Sequence, residues 1–166
     1  LAMRVLGHSP VFASKTARRS TAKRAAALAL TATLVVGMTL PAFADVYDLT
    51  KGDISVGFKT VTQTDGDGHY VLDDKGKEIN NRPDENIVIT GTTTENTVTI
   101  NSNEGETVDV TLENVNINTS KTGEAAVSVT GSGNTNIELN GNNTLTSGDG
   151  HAGLEHNKTD DSGTLT

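Results

Sequence analysis

Three groups of side chains in this sequence are of types that can do chemistry. The first is Asp65-Gly66-Asp67-Gly68, where two carboxylates alternate with glycines in the manner of a calcium loop. Calcium takes about six to eight oxygens, and a full loop opens on an earlier acid and closes on a bidentate Glu. Gln63 and Asp74 stand at those two positions. Asp65 and Asp67 are therefore candidate metal ligands, calcium being the one ion they could take, but the stretch reads first as a plain hairpin turn and no cofactor is expected. In that turn Gly66 and Gly68 supply the backbone freedom.

The second group is spread over two segments. Asp109, Thr111 and Glu113 alternate with Val108, Val110 and Leu112, and 27 residues on Asn136, Glu138 and Asn140 alternate with Ile137 and Leu139. Alternation of period two places the polar set on one face of a strand and the apolar set on the other. If the two segments lie side by side, Asp109, Glu113, Asn136, Glu138 and Asn140 form a face rich in oxygen. Such a face could hold a glycan directly, or calcium and through it an acidic sugar.

The third group would belong to an enzyme acting on a polysaccharide. A lyase needs a Lys or Arg base beside grouped carboxylates, and a hydrolase needs a fixed carboxyl pair. From Ile87 onward the basic side chains are Lys121 and Lys158, with His151 and His156, all in segments that read as loops. Carboxylates do not recur together on one face, so no catalytic residue is assigned. Carbohydrate modules also commonly stack sugars on aromatic rings, yet after residue 44 the aromatics are Tyr47, Phe58 and Tyr70, none in the alternating region.

The elements that must position these groups are repeats. Val98 and Ile100 align with Val127 and Val129 at a spacing of 29, Val110 and Leu112 with Ile137 and Leu139 at 27, and Ala126-Val127 with Gly153-Leu154 at 27. Self-similarity of this kind marks a solenoid, whose units bury their apolar faces only by stacking. Ile87-Val88-Ile89 reads as its first buried strand, and Ile117 with Leu145 as a third face. At the joints, Asn116 and Asn143 are expected to stack as a structural asparagine ladder. Thr, Asn, Val and Gly form helix poorly, and no 3.6-residue period emerges. The expected fold is all-β, a parallel β-helix incomplete at its C-terminus, whose right hand is what the family likeness named below implies. It occupies 87–166, after a 45–86 N-terminal segment holding a hairpin and a charged linker (Asp73 to Asn86).

Residues 1–44 read as a leader with a secretory signal peptide. Arg18, Arg19, Lys23 and Arg24 precede an apolar run from Ala25 to Leu40, and Ala42 and Ala44 are the small residues of a cleavage site before Asp45. The leader carries six of the chain's 13 Lys and Arg and no acid, leaving seven against 21 Asp and Glu, a net charge of roughly −14. That balance argues against nucleic acid as a partner and leaves the uncleaved leader as the one route to a membrane. Cysteine is absent; an exported chain of this kind is held by packing and backbone hydrogen bonds. Leu1 precedes Met3, and Thr166 falls within a strand-like pattern, so an N-terminal fragment is expected.

The segments IVITGTT, VDVTLENVNI, IELNGNNTLTSGDGHAGL and SGTLT resemble the secreted β-helix surface proteins of Gram-positive bacteria, of carbohydrate-binding or adhesin-like type. Leu139, Gly141, Asn143, Leu145, Ser147-Gly148 and Ala152-Gly153-Leu154 carry the likeness, which covers 86–166. It implies a non-catalytic module at the cell surface or wall, binding polysaccharide or another surface ligand. The alternative is the N-terminal part of a polysaccharide lyase or hydrolase of the same fold.

Overall fold

The computed structural model describes residues 44–157 and 163–166. The expected leader, with Ala42 of its cleavage site, lies outside the described residues; Ala44 and Asp45 are the first within them.

The described chain is all-β. Its strands are β1 (Val46–Asp48), β2 (Asp53–Gly57), β3 (Thr60–Thr64), β4 (Arg82–Pro83), β5 (Ile87–Thr93), β6 (Val98–Asn101), β7 (Thr107–Asn118), β8 (Val127–Thr130), β9 (Asn134–Asn140), β10 (Thr144–Thr146) and β11 (Leu154–Asn157), with one 3₁₀ turn at Leu49–Lys51. The inner strands alternate Val, Ile or Leu with Thr, Ser, Asn or an acid, and there burial follows the alternation. Along β7, Val108, Val110, Leu112, Val115 and Ile117 are buried, whereas Asp109, Asn114, Asn116 and Asn118 are exposed.

Two sheets result. The first has the order β1-β5-β7-β10, with β9 also paired to β7, and all of its pairings are parallel. The second runs β11-β8-β6-β2-β3-β4, parallel as far as β2 and antiparallel from β2 to β4. Like residues stand over like. Tyr47, Ile89, Leu112 and Leu139 form one column across the first sheet, and Ile54, Val98, Val127 and Leu154 form another across the second. The buried apolar members of both sheets join in a single core cluster, which excludes the exposed Leu139 and Leu154. The spacings of 29 and 27 expected for Val98/Val127 and Val110/Ile137 are the observed registers.

The spacing is not constant, because one bend lengthens as the chain proceeds. Ile89 pairs with Leu112, 23 residues on, but Gly91 pairs with Val115, 24 on. Glu113 pairs with Asn140, 27 on, but Asn116 pairs with Thr144, 28 on. One extra residue enters each time, as in a β-bulge. The bend needs left-handed backbone: Gly91 has φ 118°, Asn114 φ 51° and Gly141 φ 71°. Asparagine is among the few non-glycine residues that tolerate this region.

Two expectations are corrected here. Asn116 lies opposite Thr144 and not Asn143, so the Asn116–Asn143 ladder does not form. Asn143 instead turns its Oδ1 to accept the Val115 N–H at 2.8 Å, while Asn114 Oδ1 accepts the Asn142 N–H at 3.1 Å. The asparagines satisfy the backbone that the bend leaves unpaired. Nor do Ile117 and Leu145 form a third face of their own: β7 continues past Asn114, and they pair within the first sheet.

The division at residue 86 is one of composition and not of packing. Ala44–Thr166 is one compact unit; β1 pairs with β5 and β2 with β6. The charged stretch also contributes to the core. Ile79 is buried and exchanges backbone bonds with Gln63 and Val71. Arg82, in β4, reaches Asp45 and Asp73 at 2.9 Å each.

Candidate functional site

The polar face expected on the repeats exists as a ladder. Asp109 lies opposite Asn136, Thr111 opposite Glu138 and Glu113 opposite Asn140. Asn136 Nδ2 donates to Asp109 Oδ1 at 2.8 Å, so that amide and carboxylate neutralise each other's hydrogen-bonding need. Asp109, Asn136 and Glu138 also line a depression of about 260 Å³, bordered by Glu85, Asn86, Val88 and Thr111 and reaching the strands of the buried Ile87 and Val110. Glu113 and Asn140 lie on the same strands beyond it. The result is a half-apolar trough edged by carboxylates and an amide, a surface suited to holding a polar chain along the sheet by hydrogen bonds.

Asp65, Asp67 and His69 bring one ligand atom each to within 4.8 Å of one another. The loop's internal bonds explain why. Asp65 Oδ1 accepts the N–H groups of Asp67 at 3.0 Å and His69 at 2.8 Å, and Gly68 N–H closes on Asp65 O. The bond from His69 is the main reason the Asp65 carboxyl is held below its usual pKa.

The same construction recurs eight residues on. Asp73 Oδ1 accepts from Lys75 and Lys77 at 2.9 Å each, and Gly76 N–H closes on Asp73 O. Gly68 and Gly76 both take positive φ, 81° and 74°. In this second loop a lysine replaces the second acid, which removes any metal chemistry while leaving the turn intact. The Asp-x-x-Gly pattern is therefore accounted for by hairpin geometry. Two carboxylates and an imidazole also fall well short of a calcium ion's oxygen shell.

The structure adds a pair that the sequence left among its loops. His151 Nδ1 lies 2.7 Å from Glu155 Oε2, and Asn157 donates to the other oxygen of that carboxylate. The hydrogen bond to His151 is the first cause of a lowered Glu155 pKa. The pair sits at a depression of about 200 Å³ on the second sheet that Ser128 also lines. A Ser-His-acid relay needs the serine hydroxyl on the imidazole, and no hydrogen bond joins Ser128 to His151 among the described residues. His156 lies in β11 and not in a loop, in register with Val129. A carboxylate and an imidazole four residues apart across a strand start are the signal that could have revealed the pair.

Comparison with protein-family models, with curated proteins and with solved structures finds no match in any of the three. The function is argued from the residues above.

Proposed function

We propose that this chain is a non-catalytic surface module, a right-handed parallel β-helix exported by its leader and displayed at the bacterial cell surface, where it adheres to a polysaccharide or to another surface ligand. The observation that carries the reading is the pair of residue columns. Tyr47-Ile89-Leu112-Leu139 and Ile54-Val98-Val127-Leu154 join strands 23 to 44 residues apart in parallel. Strands that advance in parallel, each over the last, are what a solenoid requires. Leu165 continues the pattern, lying over Thr135 while Thr166 O accepts from Ile137 N–H.

The adhesive part of the reading is supported by the trough beside Asp109, Asn136 and Glu138, whose hydrogen-bonding groups lie in a row along the strands and suit an extended polymer. One bond of the row, from Asn136 to Asp109, already engages its amide and carboxylate with each other. Among the described residues Asp65, Asp67 and His69 are the one group of three acid or imidazole ligands close enough to share an ion, and the second loop explains their spacing without one.

The test is a glycan array probed with the full chain, with and without calcium. Retention of one class of polysaccharide in both conditions is expected. Absence of binding in either condition would remove the carbohydrate reading. Binding that requires calcium would show that an ion bridges the ligand, and Asp65→Ala against Asp109→Ala would tell the Asp65 loop from the face on β7 and β9.

A further inference from the structure

The outward face of β7 and β9 has an order beyond being polar. The register sets Asp109 opposite Asn136, Thr111 opposite Glu138 and Glu113 opposite Asn140. Each of these rungs holds one carboxylate and one neutral hydrogen-bonding group, and the carboxylate changes strand at every step. Rungs two residues apart are about 7 Å apart along the strands, the order of one sugar ring with its linkage. All six side chains are partly or fully exposed. Core packing therefore does not dictate their types.

Cations are missing from the same face. Its other outward positions are Val46 and Asp48 in β1 and Val88 and Thr90 in β5, none of them basic. Lys59, which lines a crevice with Asp109, is held by Glu85 at 2.7 Å. Asn136 engages Asp109, while Glu113 and Glu138 have no side-chain partner among the described residues.

This pattern narrows the class of polymer that fits. Uronic or sulfated sugars would bring like charges to the face, which is unfavourable. Neutral sugars would leave Glu113 and Glu138 with no better partner than water. A ring carrying one ammonium and several hydroxyls meets a rung in kind. Its ammonium gives the carboxylate a charge-assisted bond, and a hydroxyl, which both donates and accepts, suits the amide or Thr111. A basic peptide brings the ammonium on a long flexible stem and lacks the hydroxyls.

We propose that the face on β7 and β9 binds an amino-sugar polysaccharide whose amino groups are free, one ring to each rung. The inference rests on the glycan-binding reading of this face and names the class of glycan.

Isothermal titration of the full chain would compare four hexamers: β-1,4-linked glucosamine, its N-acetylated form, galacturonate, and lysine as a cation without hydroxyls. The glucosamine hexamer should bind at least tenfold more tightly than the other three, and its affinity should fall with added salt, as exposed charge pairs do. Glu113→Gln and Glu138→Gln should each weaken it about twofold to fivefold. Glu104→Gln removes the same charge from a turn outside the face and should leave binding unchanged. Circular dichroism would establish that each variant keeps its fold. Equal or tighter binding of the N-acetylated or galacturonate hexamer would overturn the amino-sugar assignment and leave glycan adhesion standing. Equal binding of the lysine hexamer, or an equal loss in Glu104→Gln, would show a general attraction of an acidic chain for cations and would overturn it as well. No binding of any hexamer would remove both this inference and the glycan reading of the face.

Discussion

The two ends of the stacked strands are built differently. At the β1–β4 end the second sheet stops being parallel: β2 turns back into β3 through Phe58 and Lys59, and β3 takes β4 on its far edge. Pro83 lies in that edge strand, Ile79 fills the core beneath, and Arg82 ties Asp45 to Asp73. Proline and charge on an edge are the usual means of stopping further pairing. At the β9–β11 end nothing comparable is present among the described residues. Leu139 is 63% exposed although Leu112, directly beneath it, is 0% exposed; Leu154 is 40% exposed over a Val127 at 0%. The same side chains in the same columns are core or surface according to whether another strand lies over them. Burial here belongs to position in the stack and not to the residue.

The sharpest way to break that comparison is to truncate matched leucines. Leu112→Ala should lose roughly 2–5 kcal/mol, as buried Leu→Ala changes do, whereas Leu139→Ala should lose about 0.5 kcal/mol or little more. Urea unfolding followed by circular dichroism would compare them, and equal losses would mean that Leu139 is covered in solution. A smaller effect is expected at the closed end. Arg82→Ala leaves Asp73 and Asp45 without their cation and should cost about 1–2 kcal/mol.

The smallest effect concerns pH. The Asp73 carboxyl is held below its usual pKa, chiefly by the N–H of Lys77 and then by Lys75 and Arg82. A carboxyl lowered on folding stabilises the fold above its ordinary value, near 4, and that contribution disappears as pH falls through the lower folded value. Thermal melts should therefore be flat from neutral pH to about 5 and decline below about 4. Asp73→Asn should make the decline shallower and lower stability at neutral pH. An unchanged acid profile in that variant would show that the closed end does not depend on this carboxylate.

The columns were legible in the sequence because Val, Ile and Leu repeat in pairs, and a pair two apart fixes both the face and the register. The drift at Gly91, Asn114 and Gly141 was not, since one inserted residue leaves the alternation on either side intact. That slip is why Asn143 reads as the partner of Asn116 but serves Val115. Ile79 and Arg82 were hidden for the opposite reason: a stretch with one apolar residue has no period to read, and its burial depends on the hairpin that carries it. Of the candidate face, the facing of Asp109 and Asn136 followed from the 27-residue spacing. Tyr47, Gln63 and Asp74 meet at one cavity from two different sheets and a turn, which no local pattern announces.

The parallel registers carry a mechanical consequence. Force applied along the stack from the open end loads the bonds of the outermost strands first, so the structure would yield by peeling and not by shearing as a whole. Peeling the turn from Ile137 back to Val110 frees 27 residues, on the order of 90 Å of extended chain.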